Sequence, residues 1–593
     1  MVDLKRNNLN KSLSPYLLQH SSNPVWWQEW SSGVIENAIN EKKPIFVSSG
    51  YATCHWCHVM AAEAFSDKDT ANFLNDHFIC IKVDREQRPD IDQFLMQYLV
   101  AQSGNGGWPL NVFLTPDLRP IYALTYAPAH ANGMQYSFLN IAKKVFKYYE
   151  KNNNRITRFI AVEQQPPIVR EEYLVKNLLS FYDPLYGGFG QGQKYPPHST
   201  LKFLMFLLCV EDNLSVREVC RKTLDAMHLR GLNDHLQGGI FRYCVDRQWT
   251  IPHFEKMLYD QAMALWTYSL AYKVLNEVEY KKMAENIIRC LDESFADDGL
   301  FISAHDADTE HKEGATYVWS YAELKSALTQ DEFERLCEVY YIDERGNFEG
   351  RIHLIRKKDT SLDDVEKKLL SLRKERPQPA RDNKILCGVN ALVAIALIQA
   401  GRYLEEPGFE EKGACTIQRL VDLFWNGKVL GHSCYSGTIQ TQSFLFDAAA
   451  LLIAISMLYE HDPSWKSLMN DMAVYVKSFR EKDKWVESRS SDFQPVFASW
   501  FDHPVPSSIS LAEMGLTRIT LLSSQETQLK SYIAPHRSDF FNISVMMNNG
   551  LFHLITTENA VSWSEVPANS LQIRGNAGVD CYRGVCSIRQ FVK

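Results

Sequence analysis

Two cysteines separated by two residues are the sharpest candidate for chemistry in this chain. Cys54 and Cys57 lie in YATCHWCHVM at residues 51–60, where a β-prone run gives way to a helix-prone one. A cysteine at the first turn of a helix faces unpaired N–H groups and the positive end of the helix dipole, and both favour the thiolate. The thiolate attacks disulfides, so Cys54 is the predicted nucleophile. Cys57, one turn later, is the predicted resolving cysteine.

Two further residues could assist this dithiol. His55 lies between the cysteines, and a protonated imidazole there would stabilise the Cys54 thiolate. Pro109 precedes a later β-prone run in WPLNVFLTPD. A cis-proline facing the dithiol would belong at that position, although the sequence leaves the isomer open.

The same ten residues permit other interpretations. CHWCH satisfies the C-x-x-C-H pattern of covalent haem attachment, which normally requires export, and no export signal is visible. Two cysteines and two histidines could bind zinc, although tetrahedral zinc sites usually draw ligand pairs from separated segments. Inert, buried cysteines are the third possibility. The sequence favours redox chemistry, and we expect neither a metal nor another cofactor.

A second group of polar side chains lies in VDRQWTIPHFEKMLYDQA at 245–262 and AHDADTEHKEGATYVW at 304–319. If the helical part of the chain closes into a ring, the loops between helix pairs gather at one mouth and these stretches could share a cleft. Glycoside hydrolysis needs two carboxylates beside the scissile bond. Epimerisation next to a carbonyl needs an acid/base pair, often including histidine. The candidate cleft residues are His253, Glu255, Asp260, Asp306, Asp308 and Trp249.

These residues also have ordinary structural explanations. Aspartates at turns commonly cap helices. Glu255 could simply pair with Arg242 or Lys256 at a solvated surface, where an ion pair matters little. Catalysis, a ligand groove without catalysis, and a purely structural role therefore all remain open for this group.

The elements that must position the dithiol belong to the first 160 or so residues. Three β-prone runs, at 42–50, 78–84 and 108–117, alternate with helix-prone segments at 57–67 and 90–102. This alternation predicts an α/β domain with a mostly parallel sheet. The best linker candidate is the Pro-flanked segment EQQPPIVREE at 163–172.

After residue 170, amphipathic segments follow one another with few strands. Turns that combine Gly and Phe recur between them, at 183–190, 235–243, 296–308 and 344–350. A spacing of about 50 residues is typical of an architecture repeated in helix pairs. The pattern weakens after about residue 525, where FFNISVMM (540–547) and GLFHLITT (550–557) predict a small tail that contains strands.

Composition bounds the class of protein. The chain has 593 residues, of which 45% are hydrophobic and 23% charged, and its net charge is −8. These values exclude a disordered chain and argue against nucleic-acid binding through a general basic field. The apolar runs at 391–400 and 448–458 are shorter than a bilayer-spanning helix and predict core helices. The thirteen cysteines are mostly scattered and the first residues contain no apolar signal segment, so we expect a cytoplasmic protein.

Longer blocks carry a resemblance to a known family. They are HSSNPVWWQEW, KKPIFVSSGYATCHWCHVM, VDREQRPDID and GGWPLNVFLTPD, followed by GGFGQGQKYP, GGIFRYCVDRQWTIPHFEKMLYDQA, HDADTE and EGATYVW. In these blocks the chain resembles the YyaL family, which includes the spermatogenesis-associated thioredoxin-domain proteins. The resemblance implies a thioredoxin-like domain followed by an (α/α)6 toroid similar to six-hairpin glycosidases and N-acylglucosamine 2-epimerases. It leaves the reaction undefined.

The chain departs from that family's pattern mainly in the second part. VNAL stands at 389–392 where WNGL is typical, FDAA at 446–449 in place of EDYA, and PSSIS at 506–510 in place of PSGNS. These substitutions fall where polar residues of the inner face are expected, so they put a full toroid activity in doubt. The dithiol motif is intact.

The sequence thus predicts an α/β thioredoxin-like domain over 1–165, an all-α (α/α)6 toroid over 170–525, and a tail over 526–593 that packs on the toroid. The leading function is thiol–disulfide chemistry, with the toroid forming a ligand or client groove. The alternatives are a carbohydrate-active toroid beside a structural thioredoxin-like domain, and a scaffold without catalysis. Expected partners are a protein dithiol or disulfide client or a small sugar-like ligand, with neither nucleic acid nor membrane. Monomer and homodimer stay equally open.

Overall fold

The computed structural model describes residues 3–524 except 132, 134–135, 161–170, 210, 483 and 501, and then 553–557, 561–568, 570–574, 579–582 and 585–588. Its first part contains five strands and six helices. The strands are β1 (Trp27–Glu29), β2 (Ile45–Gly50), β3 (Ile79–Asp84), β4 (Leu110–Leu114) and β5 (Pro120–Leu124). The helices are α1 (Pro15–Gln19), α2 (Ser32–Glu41), α3 (His55–Ala62), α4 (Lys68–His77), α5 (Pro89–Ser103) and α6 (Phe138–Asn152).

The five strands form one sheet in the order β1-β3-β2-β4-β5. β1, β3 and β2 run parallel, whereas β4 is antiparallel to β2 and β5 is antiparallel to β4. Four of the five strands run in one direction and β4 runs against them, so the sheet is mixed where the sequence predicts a mostly parallel one. β5 follows β4 through a short turn, and a connection of that length joins only antiparallel neighbours.

Helices cover both faces of this sheet. Side chains alternate along a strand, so Phe46 and Phe113 face the layer of α3, α4 and α6, while Val47 and Ile81 face α2 and α5. The central strand β2 is buried along its whole length. This α/β sandwich is the thioredoxin-like domain that the sequence predicts, and β2 leads directly into the dithiol segment.

The second part is built from helices. They are α7 (Glu171–Phe181), α8 (His198–Leu208), α9 (Leu214–Leu229), α10 (Leu258–Leu275), α11 (Val278–Cys290), α12 (Tyr321–Ala327), α13 (Gln330–Val339), α14 (Asp363–Lys374), α15 (Cys387–Leu404), α16 (Pro407–Phe424), α17 (Leu445–Tyr459), α18 (Lys466–Lys477) and α19 (Ser508–Ser524). α10 packs on α8 and α15, and α17 packs on α15 and α19. These five belong to the inner layer of the predicted (α/α)6 toroid. α9, α11 and α16 bury only one face, as expected of an outer layer.

The loops between the toroid helices contain short strands. They are β6 (Tyr243–Cys244), β7 (Pro252–His253), β8 (Lys256–Met257), β9 (Ala296–Asp297), β10 (Leu300–Phe301), β11 (Ala304–His305), β12 (Asp308–Thr309), β13 (Lys312–Glu313), β14 (Arg381–Asp382), β15 (Ile385–Leu386), β16 (Ser433–Tyr435), β17 (Thr438–Gln440), β18 (Arg480–Glu481) and β19 (Lys484–Trp485). β8, β11 and β14 pair, which joins the two stretches that hold the candidate cleft residues.

Two of the predicted Gly-and-Phe turns have the same construction. In the first, Asp183 accepts a hydrogen bond from buried Lys194, and in the second Asp234 accepts one from buried Lys256. A Cβ at Gly187 or Gly238 would collide with a backbone carbonyl of the outer helix that follows, at 2.6 and 2.3 Å. Both glycines also have positive φ. The turns therefore repeat as structural units that dock each helix pair.

The apolar run at 391–400 is part of a longer helix than the sequence suggested. Within the described residues, α15 is the helix long and apolar enough to cross a membrane, and 89% of it is buried inside the protein. Its polar members have partners, since Asn390 donates to the Phe301 carbonyl and Arg402 pairs with Glu460. Polar residues satisfied in this way extend an apolar helix beyond its uninterrupted run.

The described tail contains β20 (His553–Thr557), β21 (Ser570–Arg574), β22 (Val579–Tyr582) and β23 (Val585–Ile588), which form a sheet in the order β21-β20-β22-β23. Ala568 accepts a hydrogen bond from the Tyr403 hydroxyl of α15 at 2.8 Å. FFNISVMM, and the linker candidate as far as residue 170, lie outside the described residues.

Candidate functional site

The dithiol lies where β2 turns into α3. Cys54 is the N-cap of α3, and its Sγ accepts a hydrogen bond from the Cys57 amide at 3.3 Å. The two cysteines are joined in a disulfide bond, with their Cα atoms 5.2 Å apart. An N-cap sulfur that accepts an amide N–H is in the position that stabilises a thiolate.

The side chains around the dithiol are closely packed. A Cβ at Gly50 would lie 2.8 Å from Cys57 Sγ and 2.4 Å from the Tyr16 hydroxyl, so β2 must end in a glycine here. The Trp108–Pro109 peptide bond is cis, and β4 begins at the next residue. Trp108 donates its indole N–H to buried Asp92 at 2.9 Å.

The toroid covers the sulfur atoms. Cys54 is 4% exposed and Cys57 is 1% exposed, and both share an apolar cluster with Met257, Tyr259 and Ala304 of the toroid. Both cysteines are therefore almost inaccessible to solvent while the domains are in contact.

Two histidines of α3 pair with toroid carboxylates. His55 Nδ1 lies 2.8 Å from Asp308 Oδ1. His58 Nδ1 lies 3.5 Å from Asp308 Oδ2, and His58 Nε2 lies 3.7 Å from Asp306 Oδ2. The dithiol motif and the predicted carboxylate cleft, which the sequence treats as separate candidates, therefore form one site.

Charge in this site shifts the pKa of each group. Burial opposes protonation of both histidines, but the nearby carboxylates outweigh it, raising the pKa of His55 and bringing the pKa of His58 to about 9. Burial would raise the pKa of Asp308, yet its hydrogen bonds with both histidines hold that pKa well below its usual value. Burial dominates at Asp306, whose pKa rises to about 6. The pairs of His58 with its carboxylates are therefore ionic at neutral pH, and the carboxylate of Asp308 favours the protonated form of His55.

Three of these side chains could bridge a metal ion. Ligand atoms of His58, Asp306 and Asp308 all lie within 4.8 Å of one another. Their mutual ion pairs already account for this spacing. His58 Nε2 also contacts the Ala52 carbonyl at 2.8 Å, which directs that nitrogen away from a shared ligand position.

A second polar group lies beside the dithiol, at the same interface. Tyr51 donates to Glu255 Oε1 at 3.2 Å, and Arg242 donates to that oxygen at 2.9 Å and to the Tyr51 hydroxyl. Arg85 stacks on Trp108, with its Cζ 3.9 Å from the ring centroid, and also faces the Tyr51 ring at 5.2 Å. We call six of these side chains, including two neighbours on α10 of the toroid, the mouth cluster: Tyr51, Arg85, Arg242, Glu255, Tyr259 and Asp260.

Polar atoms in the mouth cluster lack partners. Within the described part of the chain, Arg85 Nη1, Glu255 Oε2, the Tyr259 hydroxyl and Asp260 Oδ2 are buried without a hydrogen bond. Burial raises the pKa of Asp260 well above its usual value, although the charge of Arg242 opposes that shift. Four such groups in one cluster are unusual, because buried polar atoms are nearly always hydrogen-bonded.

Two of the predicted cleft residues belong neither to the mouth cluster nor to the histidine–aspartate pairs of α3. His253 Nδ1 pairs with Glu313 Oε1 at 2.6 Å, and its ring is 6.5 Å from that of His55, so it stands at the edge of the site. Trp249 is wholly buried in the toroid core, where its ring packs against Gly188. The structure does not bring Trp249 to the dithiol or to the carboxylates.

Other functional candidates were not identified from the sequence. Tyr51, Arg85 and Tyr259 lie within blocks that carry the family resemblance but were not among the predicted site residues, and His58 entered only as a possible zinc ligand. Tyr51 stands three residues before Cys54, and His58 directly follows Cys57. Their position next to the C-x-x-C motif in the sequence was the signal that could have identified them.

A second contact fixes the domains next to the site. Lys384 of the toroid is fully buried and pairs with Asp84 at 2.6 Å, Glu86 at 3.0 Å and Asp382 at 3.1 Å. The first two carboxylates belong to the thioredoxin-like domain. His432 Nε2 also contacts the Glu86 carbonyl at 2.6 Å. The interface is therefore charged and specific.

Fold and site together define a class: proteins in which a thioredoxin-like domain places its dithiol over the mouth of an (α/α)6 toroid. The family model described as a thioredoxin DsbH-type protein of unknown function, DUF255, matches residues 6–164. An uncharacterized protein of Caenorhabditis elegans, B0495.5, is 33% identical over 77% of this chain and 72% of its own length. Spermatogenesis-associated protein 20 of Homo sapiens is 31% identical over 81% of this chain and 70% of its own length. The chain belongs to the spermatogenesis-associated protein 20 family.

Among solved structures, a D-mannose isomerase matches with a TM-score of 0.40 and 11% identity, over 60% of this chain and 82% of that one.

Proposed function

We propose that this protein is a thiol–disulfide oxidoreductase whose dithiol is enclosed by the toroid and becomes accessible when the two domains separate. The observation that carries the proposal is the Cys54–Cys57 disulfide at the N-cap of α3 in a thioredoxin-like domain. The proposed site residues are Cys54 as nucleophile and Cys57 as resolving cysteine, together with His55 and Pro109.

The reaction is a dithiol–disulfide exchange. The Cys54 thiolate attacks one sulfur of a client disulfide and expels the other as a thiolate, which forms a mixed disulfide. The Cys57 thiolate then attacks Cys54 Sγ and releases the second client sulfur. The client gains two electrons and takes up two protons, and Cys54–Cys57 becomes the disulfide. The proposed clients are protein disulfides, and the proposed compartment is the cytoplasm, where thiol reductants regenerate the dithiol.

His55 supports the nucleophile through charge. Its pairing with Asp308 favours the imidazolium form, and a cation next to Cys54 stabilises the thiolate. Separation of the domains removes Asp308, so the thiolate loses part of this support when the site opens.

A redox titration of the full-length protein tests this proposal. The protein is equilibrated with dithiothreitol buffers of defined potential, and its free thiols are quantified by mass after alkylation. We expect a two-electron transition in the wild type that is absent from Cys54→Ser and Cys57→Ser. Cys80→Ser is the matched control, since Cys80 is a free, buried cysteine of the same domain. Insulin reduction that is equal in the wild type and in Cys54→Ser would overturn the proposal.

The mouth cluster supports a second candidate function, the binding of a small polyhydroxylated ligand such as a monosaccharide. Its unpartnered atoms include the Arg85 and Tyr259 donors and the Glu255 and Asp260 acceptors. A sugar hydroxyl both donates and accepts a hydrogen bond, so a polyol suits this mixed set better than a simple anion would.

Isothermal titration with D-mannose, D-glucose and N-acetylglucosamine tests the second candidate. We expect binding of at least one of them that is weakened about tenfold or more in Asp260→Asn and Tyr259→Phe, because a lost hydrogen bond costs about 1–3 kcal/mol. Tyr268→Phe is the control, since this buried hydroxyl of the same helix donates to the Leu224 carbonyl. Equal affinity in all three variants would remove the mouth cluster as the binding site.

A further inference from the structure

A small cavity lies inside the toroid, between the inner helices and the tail. Its volume is about 20 Å³, and its lining includes Lys202 of α8, Trp266 of α10, Arg402 of α15, Arg518 of α19 and Ser570 of β21. One occupant of about the size of a water molecule fills such a volume. None of these residues belongs to the dithiol site or to the mouth cluster.

The polar groups that line the cavity without a partner are all able to donate. Within the described residues, Lys202 Nζ, Trp266 Nε1 and Ser570 Oγ are buried and have no hydrogen-bond partner. An ammonium and an indole N–H can only donate, and a serine hydroxyl can do so as well. Lys202 Nζ also lies 3.3 Å from the centroid of the Trp266 ring, and is completely buried. What the cavity lacks is an acceptor.

The carboxylates near the cavity are engaged by other groups. Arg402 pairs with Glu410 at 3.0 Å and with Glu460 at 3.0 Å, and Arg518 pairs with Glu460 as well. Within the described residues, Lys202 Nζ has no hydrogen bond to either of these carboxylates. The charge of Asp502 also acts on Lys202, but Asp502 Oδ1 accepts hydrogen bonds from the Ser507 amide and the Ser510 hydroxyl.

We propose that this cavity binds one monovalent inorganic anion of halide size, held by Lys202 Nζ, Trp266 Nε1 and Ser570 Oγ. The anion supplies an acceptor to three donors that lack one. Burial lowers the pKa of Lys202 well below its usual value, and a bound anion would oppose that shift. Its lining residues come from four inner helices and from β21, so the anion connects the toroid with the tail.

Thermal unfolding of the full-length protein tests the proposal, with sodium chloride compared with sodium gluconate at equal ionic strength. A ligand that binds only the folded state raises the Tm in a saturable way. We expect the Tm to rise with chloride and not with gluconate, and the chloride effect to vanish in Lys202→Met. Lys82→Met is the matched control, because Lys82 is a buried lysine that donates to Ser48 outside the cavity. Lys82→Met should show the same rise in Tm with chloride as the wild type, even if its Tm in gluconate differs.

Two further measurements keep the test decisive if Lys202→Met does not fold. Trp266→Phe and Ser570→Ala each remove one donor and should raise the chloride concentration of half-maximal effect at least threefold. Crystals grown in bromide should give an anomalous peak in the cavity. Equal Tm values in chloride and gluconate, or a cavity density without anomalous signal, would show a neutral lysine beside a water molecule and overturn the proposal.

Discussion

Replacing Asp308 by Asn should uncover the dithiol without disturbing the domain that carries it. Asp308 lies on the β12–β13 hairpin of the toroid and pairs with His55 and His58 of α3. The 2.8 Å hydrogen bond to His55 involves the Asp308 carboxylate, and a hydrogen bond to a charged group contributes about 1.5–3 kcal/mol. The pair is partly exposed, so we take roughly 2 kcal/mol for the lost closure energy. At 1.36 kcal/mol per factor of ten, this corresponds to an open population about 30-fold larger.

The assay is the rate at which a phosphine reductant opens the Cys54–Cys57 disulfide at pH 7. Both sulfurs are buried, so reduction proceeds from the open state and its rate follows the open population. We expect Asp308→Asn to be reduced about 30-fold faster than the wild type. Glu313→Gln is the matched control, because Glu313 is the cross-strand neighbour of Asp308 but pairs with His253 instead of α3. It should change the rate by less than about twofold.

One result would refute this reasoning. If Asp308→Asn is folded, by its circular dichroism and its Tm, yet is reduced at the wild-type rate, the toroid does not protect the disulfide through this pair. Equal acceleration in Glu313→Gln would instead show that any loss of charge on the hairpin loosens the interface.

Three further predictions concern the same interface. The pKa of His58 is raised to about 9 in the folded protein. The stability that its charge contributes is therefore complete below the unfolded pKa of about 6.5 and is lost as the pH rises through about 9. Over that pH range, the reduction rate of Asp308→Asn divided by that of the wild type should fall. Lys384→Met leaves three carboxylates unpaired and buried, and should lower the urea unfolding free energy by about 3–5 kcal/mol, whereas an unchanged value would show that the lysine is dispensable. Gly50→Ala places a methyl group against Tyr16 and Cys57, and should cost about 1–3 kcal/mol in the same assay, with no loss expected only if both side chains can move aside.

Local patterns were enough to predict the elements around the dithiol. The run that ends at Gly50 is a strand, Cys54 caps the following helix, and the Gly-and-Phe turns around Asp183 and Asp234 repeat as structural units. In each case, neighbours within a few tens of residues determine the conformation, so the sequence contains the whole signal. The direction of β4 was less accessible, since it depends on the order of strands across the sheet.

The composition of the site could not be predicted in the same way. His55 and Asp308 are 253 positions apart, and nothing in either segment indicates the other. Their contact depends on how one folded surface docks on another, which is set by shape and charge over the whole interface. The departures from the family pattern show the same limit, because Asn390 binds the Phe301 backbone and Asp447 pairs with His432. The VNAL and FDAA blocks therefore each keep one polar residue, and that residue has a structural partner that the sequence did not indicate.

The geometry of the mouth cluster links the two candidate functions. Tyr51 and Arg85 belong to the thioredoxin-like domain, whereas Arg242, Tyr259 and Asp260 belong to the toroid. A small molecule held by both sets of side chains is bound only while the domains are in contact, and it therefore opposes the opening that exposes Cys54. Coupling between two sites is reciprocal, so a change of redox state that favours opening must weaken the ligand by the same factor. A polyol site and a redox dithiol would thus be coupled in this protein, because a ligand bound at the toroid mouth would limit access to the disulfide.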